Sequence, residues 1–105
     1  MKIKMNQAIA DLTGKPIKDG EKNLSLGTIC ANALMLGHAE EKGVTAKEKL
    51  HRYDLGLKVY KDEEIDLTDN DIAMLNKVIA LAYSPLIYGR VVEMLGSRPP
   101  VDPPN

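Results

Sequence analysis

The chain opens with an alternation. In Lys2-Ile3-Lys4-Met5-Asn6 the apolar Ile3 and Met5 fall on one face and both lysines on the other, a period of two that predicts a short strand. The stretch from Leu12 to Ile17 contains Thr13-Gly14-Lys15-Pro16, which predicts a turn between short edge strands, since Gly permits a positive φ and Pro is barred from a central ladder position. Lysines on such edges discourage edge-to-edge pairing. Asp19-Gly20-Glu21-Lys22-Asn23 reads as a polar connection to the first helix.

Beyond residue 24 the pattern becomes helical, and four capping signals set the starts. Ser25 is the N-cap of a helix beginning at Leu26, with Leu24 and Ile29 in the positions of a hydrophobic staple; Gly43 is the expected stop. Thr45 and Glu48 have capping-box spacing for a second helix, whose apolar stripe Ala46, Leu50, Tyr53, Leu57 and Tyr60 steps by four and three residues. Thr68 and Asp71 repeat the box for a third helix, with Leu67 and Ile72 in the staple positions. Ser84-Pro85 reads as N-cap and first turn of a fourth, ended by Gly96. Between the second and third helices Glu64-Ile65-Asp66-Leu67 alternates again and is expected to add a strand to the amino-terminal sheet. The expected architecture is therefore α+β: a small N-terminal β-hairpin packed on three or four helices within one globular domain, residues 1–96. A flexible tail, 97–105, holds four of the six prolines and has almost nothing to bury.

Composition narrows the class. A chain of 105 residues has the size of a single domain and can bury about 65% of its unfolded surface. Phe and Trp are absent and Tyr supplies all four aromatics, so the core must be aliphatic. Fourteen basic residues against 15 acidic ones give a net charge of -1, without the basic footprint of a free-standing nucleic-acid binder. One cysteine, Cys30, cannot form an intramolecular disulfide, and the start MKIKMNQ has no signal-peptide apolar run. A cytoplasmic, reducing setting follows as the expectation. No stretch matches the ~20 apolar residues of a membrane span.

Candidate chemistry is sparse. In the acidic run Asp62 to Asp71, a calcium-loop reading with Asp66 first puts Asp71 where the loop needs Gly and Lys77 where it needs the bidentate Glu. A solvated connector, with acids near a helix N-terminus, accounts for it better. His38, His51 and Cys30 have no metal-ligand spacing, and Cys30 sits among Leu26, Ile29, Ala33 and Leu34 as a buried, inert thiol. Gly14-Lys15 lacks the rest of a phosphate loop, and Asn23-Leu24-Ser25 is a helix cap before it is a glycosylation acceptor. No catalytic residue, metal or cofactor is expected, and the chain reads as a non-enzyme.

Two binding surfaces compete. From Ile72 to Leu95, 17 of 24 residues are apolar and only Lys77, Arg90 and Glu93 are charged, more than a one-sided stripe contains. Such helices are either central in a core or covered by a partner. The expected partner surface comprises Leu81, Tyr83, Ile87, Tyr88, Arg90, Val91 and Met94, with Arg90 as its polar anchor, and serves self-association or a protein partner. The alternative is a weak nucleic-acid binder using Lys47, Lys49, Arg52, Lys58 and Lys61, a set offset by Glu48, Asp54 and the acidic run that follows.

Four blocks, Met1 to Gln7, Asp11 to Ile17, Glu48 to Tyr53 and Tyr83 to Gly89, resemble small proteins encoded by tailed bacteriophages and prophages. The resemblance implies a bacterial cytoplasm as the setting and binding to another phage protein or a host protein as the mode of action. It carries over no active-site residues.

Overall fold

The computed structural model describes residues 2–36, 42–61 and 63–96. Its elements are β1 (Lys2–Lys4), β2 (Lys18–Asp19), β3 (Lys22–Asn23), α1 (Leu26–Met35), α2 (Ala46–Lys61), β4 (Glu64–Asp66), α3 (Asp69–Ala82) and α4 (Pro85–Leu95), an α+β arrangement with a small N-terminal hairpin and four helices. The proline-rich tail expected at 97–105 lies outside the described residues.

β1 pairs antiparallel with β4, matching Lys2 to Asp66, Ile3 to Ile65 and Lys4 to Glu64, so the second alternating segment does join the first. The two isoleucines face each other and are buried, while the flanking charges stay in solvent. The hairpin itself lies later than the sequence suggests. β2 and β3 enclose Gly20 and Glu21, and Gly20, at φ +67°, leads the two-residue loop where a positive φ is needed, so the polar connection is the hairpin turn. The expected turn at Thr13–Pro16 exists, but a single bridge between Ala10 and Pro16 flanks it. The Asp11 carboxylate orders that loop, accepting from the Thr13 hydroxyl (2.6 Å) and from the amides of Thr13 (2.8 Å) and Lys15 (3.1 Å).

Three short segments meet in a closed triangle of backbone hydrogen bonds. Ile9 donates to Leu24 O (2.9 Å), Leu24 to Ile17 O (2.8 Å) and Ile17 to Ile9 O (2.8 Å). Strands this short have few ladder bonds of their own, and the triangle satisfies both partners of each segment while pressing Ile9, Ile17 and Leu24 onto the helical core.

α1 is central. Its first three amides are satisfied by Gln7 O (2.9 Å, to Leu26), Met5 O (2.7 Å, to Gly27) and the Ser25 hydroxyl (3.2 Å, to Thr28), which ties the helix start to the N-terminal segment. Its residues Leu26, Ile29, Cys30, Ala33 and Leu34 pack with Leu55 and Val59 of α2, Leu75, Val78 and Ile79 of α3, and Val91 and Leu95 of α4 in one aliphatic core. α1 ends at Met35, with Leu36 extended, and not at Gly43. The sequence offers glycines at 37 and 43, and the helix stops before the nearer one.

The other caps stand at their expected positions, but Ser84 makes no side-chain cap bond and the Thr45–Glu48 box forms only by half. Thr68 and Asp71 form a reciprocal box, and Gly96 closes α4 in the left-handed conformation. At α2 the Thr45 hydroxyl accepts from the Glu48 amide (3.1 Å), while the Glu48 carboxylate engages Arg52 (3.1 Å) and, on α3, Lys77 (3.2 Å). Among the described residues, no helix is long and apolar enough to cross a membrane.

Candidate interaction surface

The structure turns α2 round relative to the ordinary amphipathic helix. Its apolar stripe faces solvent: Leu50 is 62% exposed, Tyr60 72%, and Tyr53 and Leu57 are also exposed. The buried face holds Arg52, Leu55, Gly56 and Val59. Two glycines account for this choice of face. A β-carbon on Gly27 of α1 would stand 2.8 Å from Val59 O and 3.1 Å from Met5 O, and one on Gly56 would stand 2.6 Å from the Met35 methyl. Both helices approach closely at these points, which presents Leu55 and Val59 to the core and leaves the stripe outside. Met35, itself exposed, lies over Gly56 and extends the apolar surface from α2 to the end of α1.

Residues at spacings of three and four are neighbours on a helix, so Leu50, Tyr53, Leu57 and Tyr60 form one continuous ridge. By the same periodicity Lys47, Lys58 and Lys61 lie along one edge and Lys49 along the other, with Asp54 the acid among them. Lys58 reaches towards β4, donating to Asp66 O at 3.4 Å.

The expected nucleic-acid set is therefore divided. Lys47, Lys49, Lys58 and Lys61 are exposed, but Arg52 is buried at 5% exposure and its guanidinium is held by Glu48. The four lysines border an apolar ridge and do not form a continuous basic face.

The expected α3–α4 surface is divided too. Val91 is fully buried in the core, and Tyr83, Ile87, Tyr88 and Met94 are partly buried against it. Leu81 is exposed. Arg90 serves the fold: Nε donates to Ala10 O (3.2 Å) and Nη2 to Asp11 O (2.7 Å), tying α4 to the N-terminal loop, with Glu93 at 3.6 Å. The dense apolar run is explained mainly by the core, since α3 and α4 each give it several buried residues.

Several polar side chains link the helices to one another. Between α2 and α3, His51 Nε2 lies 3.1 Å from Asp71 Oδ1 beside an open cleft of about 340 Å³ lined by His51, Asn70, Ala73, Met74 and Lys77. Burial pushes the Asp71 carboxyl up, but bonds from the Thr68 amide, His51 and the Thr68 hydroxyl outweigh it and hold the group below the ordinary carboxylate range. The Glu48 carboxyl is likewise held low, first by Lys77 and against a smaller desolvation effect, with Arg52 adding to the shift. Cys30 is buried, and desolvation pushes its thiol up to about 12, far from thiolate chemistry at neutral pH. His38 lies outside the described residues, and among those described no three His, Cys, Asp or Glu side chains are grouped to hold a metal ion.

Sequence reasoning found the α2 stripe but not its exposure. The available signal was the second apolar set on the same helix, Leu55 and Val59 around Gly56, which competes for the core and needs Arg52 paired with Glu48 one turn away. Set against protein-family models, curated proteins and solved structures, the chain matches none of them.

Proposed function

We propose that this protein is a non-enzymatic protein–protein interaction module that docks its partner on the exposed ridge of α2. The observation that carries this reading is the exposure of Leu50, Tyr53, Leu57 and Tyr60 in a continuous row, joined by Met35. Contiguous apolar surface of this kind marks binding sites, and tyrosine is enriched at interface hot spots because it combines a large apolar ring with a polar tip. The α2 ridge replaces the α3–α4 residues as the docking surface, because Val91, Arg90 and their neighbours are occupied within the fold. In the setting that the phage resemblance implies, a bacterial cytoplasm, the partner is a phage or host protein, or a second copy of the chain. A reducing compartment suits the single buried thiol.

The test compares the wild-type chain with the Tyr53→Ala/Leu57→Ala double variant in cross-linked capture from bacterial lysate and in solution mass by light scattering. A partner or oligomer present with the wild type and absent with the variant supports the reading. Identical captured proteins and identical masses for the two chains overturn it.

A further inference from the structure

We infer that the occupant of the α2 ridge is an acidic amphipathic helix of another protein, with a row of apolar side chains bordered by Asp and Glu. This rests on the reading of the ridge as a docking face and specifies its partner. The argument is charge complementarity. The ridge is bordered by Lys47 and Lys61 on one edge, with Asp54 on that same edge, and by Lys49 on the other, while Lys58 turns from the first edge towards Asp66 O at 3.4 Å. The other charged groups of the helix, Glu48 and Arg52, are paired with each other on the inner side, so they do not neutralise this border. Lys47, Lys49 and Lys61 against Asp54 leave the border of the apolar row net positive, which rewards a partner that carries carboxylates beside its own apolar row.

The same charges argue against a second copy. Laying α2 on α2 about a two-fold axis brings the net-positive borders of the two ridges together, with one Asp54 from each chain, and like charges brought together at an interface are repulsive. A helix also fits the shape of the site. The ridge is a straight row over about three turns of α2, and Met35, a flexible side chain lying over Gly56 at its margin, can reshape to receive an apolar knob.

The experiment lets the ridge choose. The full chain is immobilised and offered a displayed library of 16-residue helical peptides that keep a row of leucines at spacings of three and four and vary the flanking positions over Glu, Gln and Lys. Enrichment of Glu flanks is expected. The selected peptide, measured by fluorescence anisotropy, should lose at least tenfold in affinity when its Glu are changed to Gln. It should lose as much when the chain carries Tyr53→Ala and Leu57→Ala. With Lys47→Glu, Lys49→Glu and Lys61→Glu together, the selection should swing to Lys flanks. All these positions are exposed, and circular dichroism verifies that the fold persists. Enrichment of leucine rows without regard to flanking charge, lost in Tyr53→Ala/Leu57→Ala, overturns the acidic partner while leaving the docking face in place. So does a dimer that the same double variant dissolves. Binding to vesicles of phosphatidylserine and phosphatidylcholine or to duplex DNA, without peptide enrichment, overturns it in favour of another class of partner. A monomer that enriches nothing and binds neither overturns both the partner and the face.

Discussion

The guanidinium of Arg90 and the backbone carbonyl of Asp11 are joined by a 2.7 Å hydrogen bond across 79 residues of sequence. A second bond, from Nε to Ala10 O, makes the contact a two-point clamp on the edge of the N-terminal loop. The Asp11 side chain organises the following turn while its carbonyl holds α4, so one residue orders the loop and anchors it.

Arg90→Ala should therefore destabilise the fold by about 1.5–3 kcal/mol, the range for hydrogen bonds from a charged group. Arg90→Lys should recover less than half of that, because a lysine cannot reproduce the Nε and Nη2 pair from one planar fork. Chemical denaturation gives the free energies, and hydrogen exchange should locate the loosening at the amides of Thr13 to Lys15. If Arg90→Ala unfolds at the wild-type denaturant concentration, the clamp is not structural.

Cys30 should be silent in the folded chain. Burial and a thiol pushed up to about 12 leave neither access nor thiolate. A disulfide reagent at pH 8 is expected to titrate no thiol in native buffer and one in denaturant. Prompt reaction of the native protein would mean that α1 opens far more readily than its central packing implies.

Acid should loosen the α2–α3 junction. The Glu48 and Asp71 carboxyls are both held below their ordinary range in the fold, so each binds protons less readily there than in the unfolded chain. Their contribution is fully present above the ordinary carboxylate values of about 4 and is lost as pH falls through the lower folded values. The melting temperature should fall between about pH 5 and pH 2, and Glu48→Gln should flatten that fall while lowering stability at pH 7, where Arg52 and Lys77 lose their shared partner. An unchanged pH slope in Glu48→Gln would assign the acid sensitivity elsewhere.

Local chemistry made much of this fold readable. Ser25, Thr68, Ser84-Pro85 and Gly96 mark helix ends because capping depends on a few adjacent residues, and the alternation at Glu64 to Leu67 marks β4 because one buried isoleucine between charges suits only an extended chain. What stayed hidden depends on distant partners. Arg90 is polar in an apolar run, and only the position of Ala10 and Asp11, 79 or more residues earlier, decides that it is a clamp. The orientation of α2 is hidden for the same reason: two apolar faces compete, and Gly27 and Gly56 decide between them by letting α1 close on one.

Gly27→Ala is the sharpest test of that packing. The added methyl would meet two backbone carbonyls, Val59 O at 2.8 Å and Met5 O at 3.1 Å, and neither can turn aside as a side chain would. Overpacking of this kind costs about 1–3 kcal/mol, against the gain of up to about 1 kcal/mol that Gly→Ala ordinarily brings within a helix. Gly56→Ala meets the flexible end of Met35 and should cost less. Equal effects of the two substitutions on the denaturation midpoint would mean that the approach of α1 to α2 is not set at Gly27.

The two apolar faces of α2 should separate by energy. Leu55 is buried among α1 and its neighbours, and Leu55→Ala should cost ~2–5 kcal/mol through lost burial and the cavity left behind. Leu50 and Tyr60 are mostly in solvent, so Leu50→Ala and Tyr60→Ala should each change stability by no more than about 0.5 kcal/mol. On the proposed docking reading, a face that contributes so little to its own fold keeps its leucines and tyrosines in line for a partner. Should Leu50→Ala destabilise as much as Leu55→Ala, the stripe belongs to the core, and the docking face on α2 falls with it.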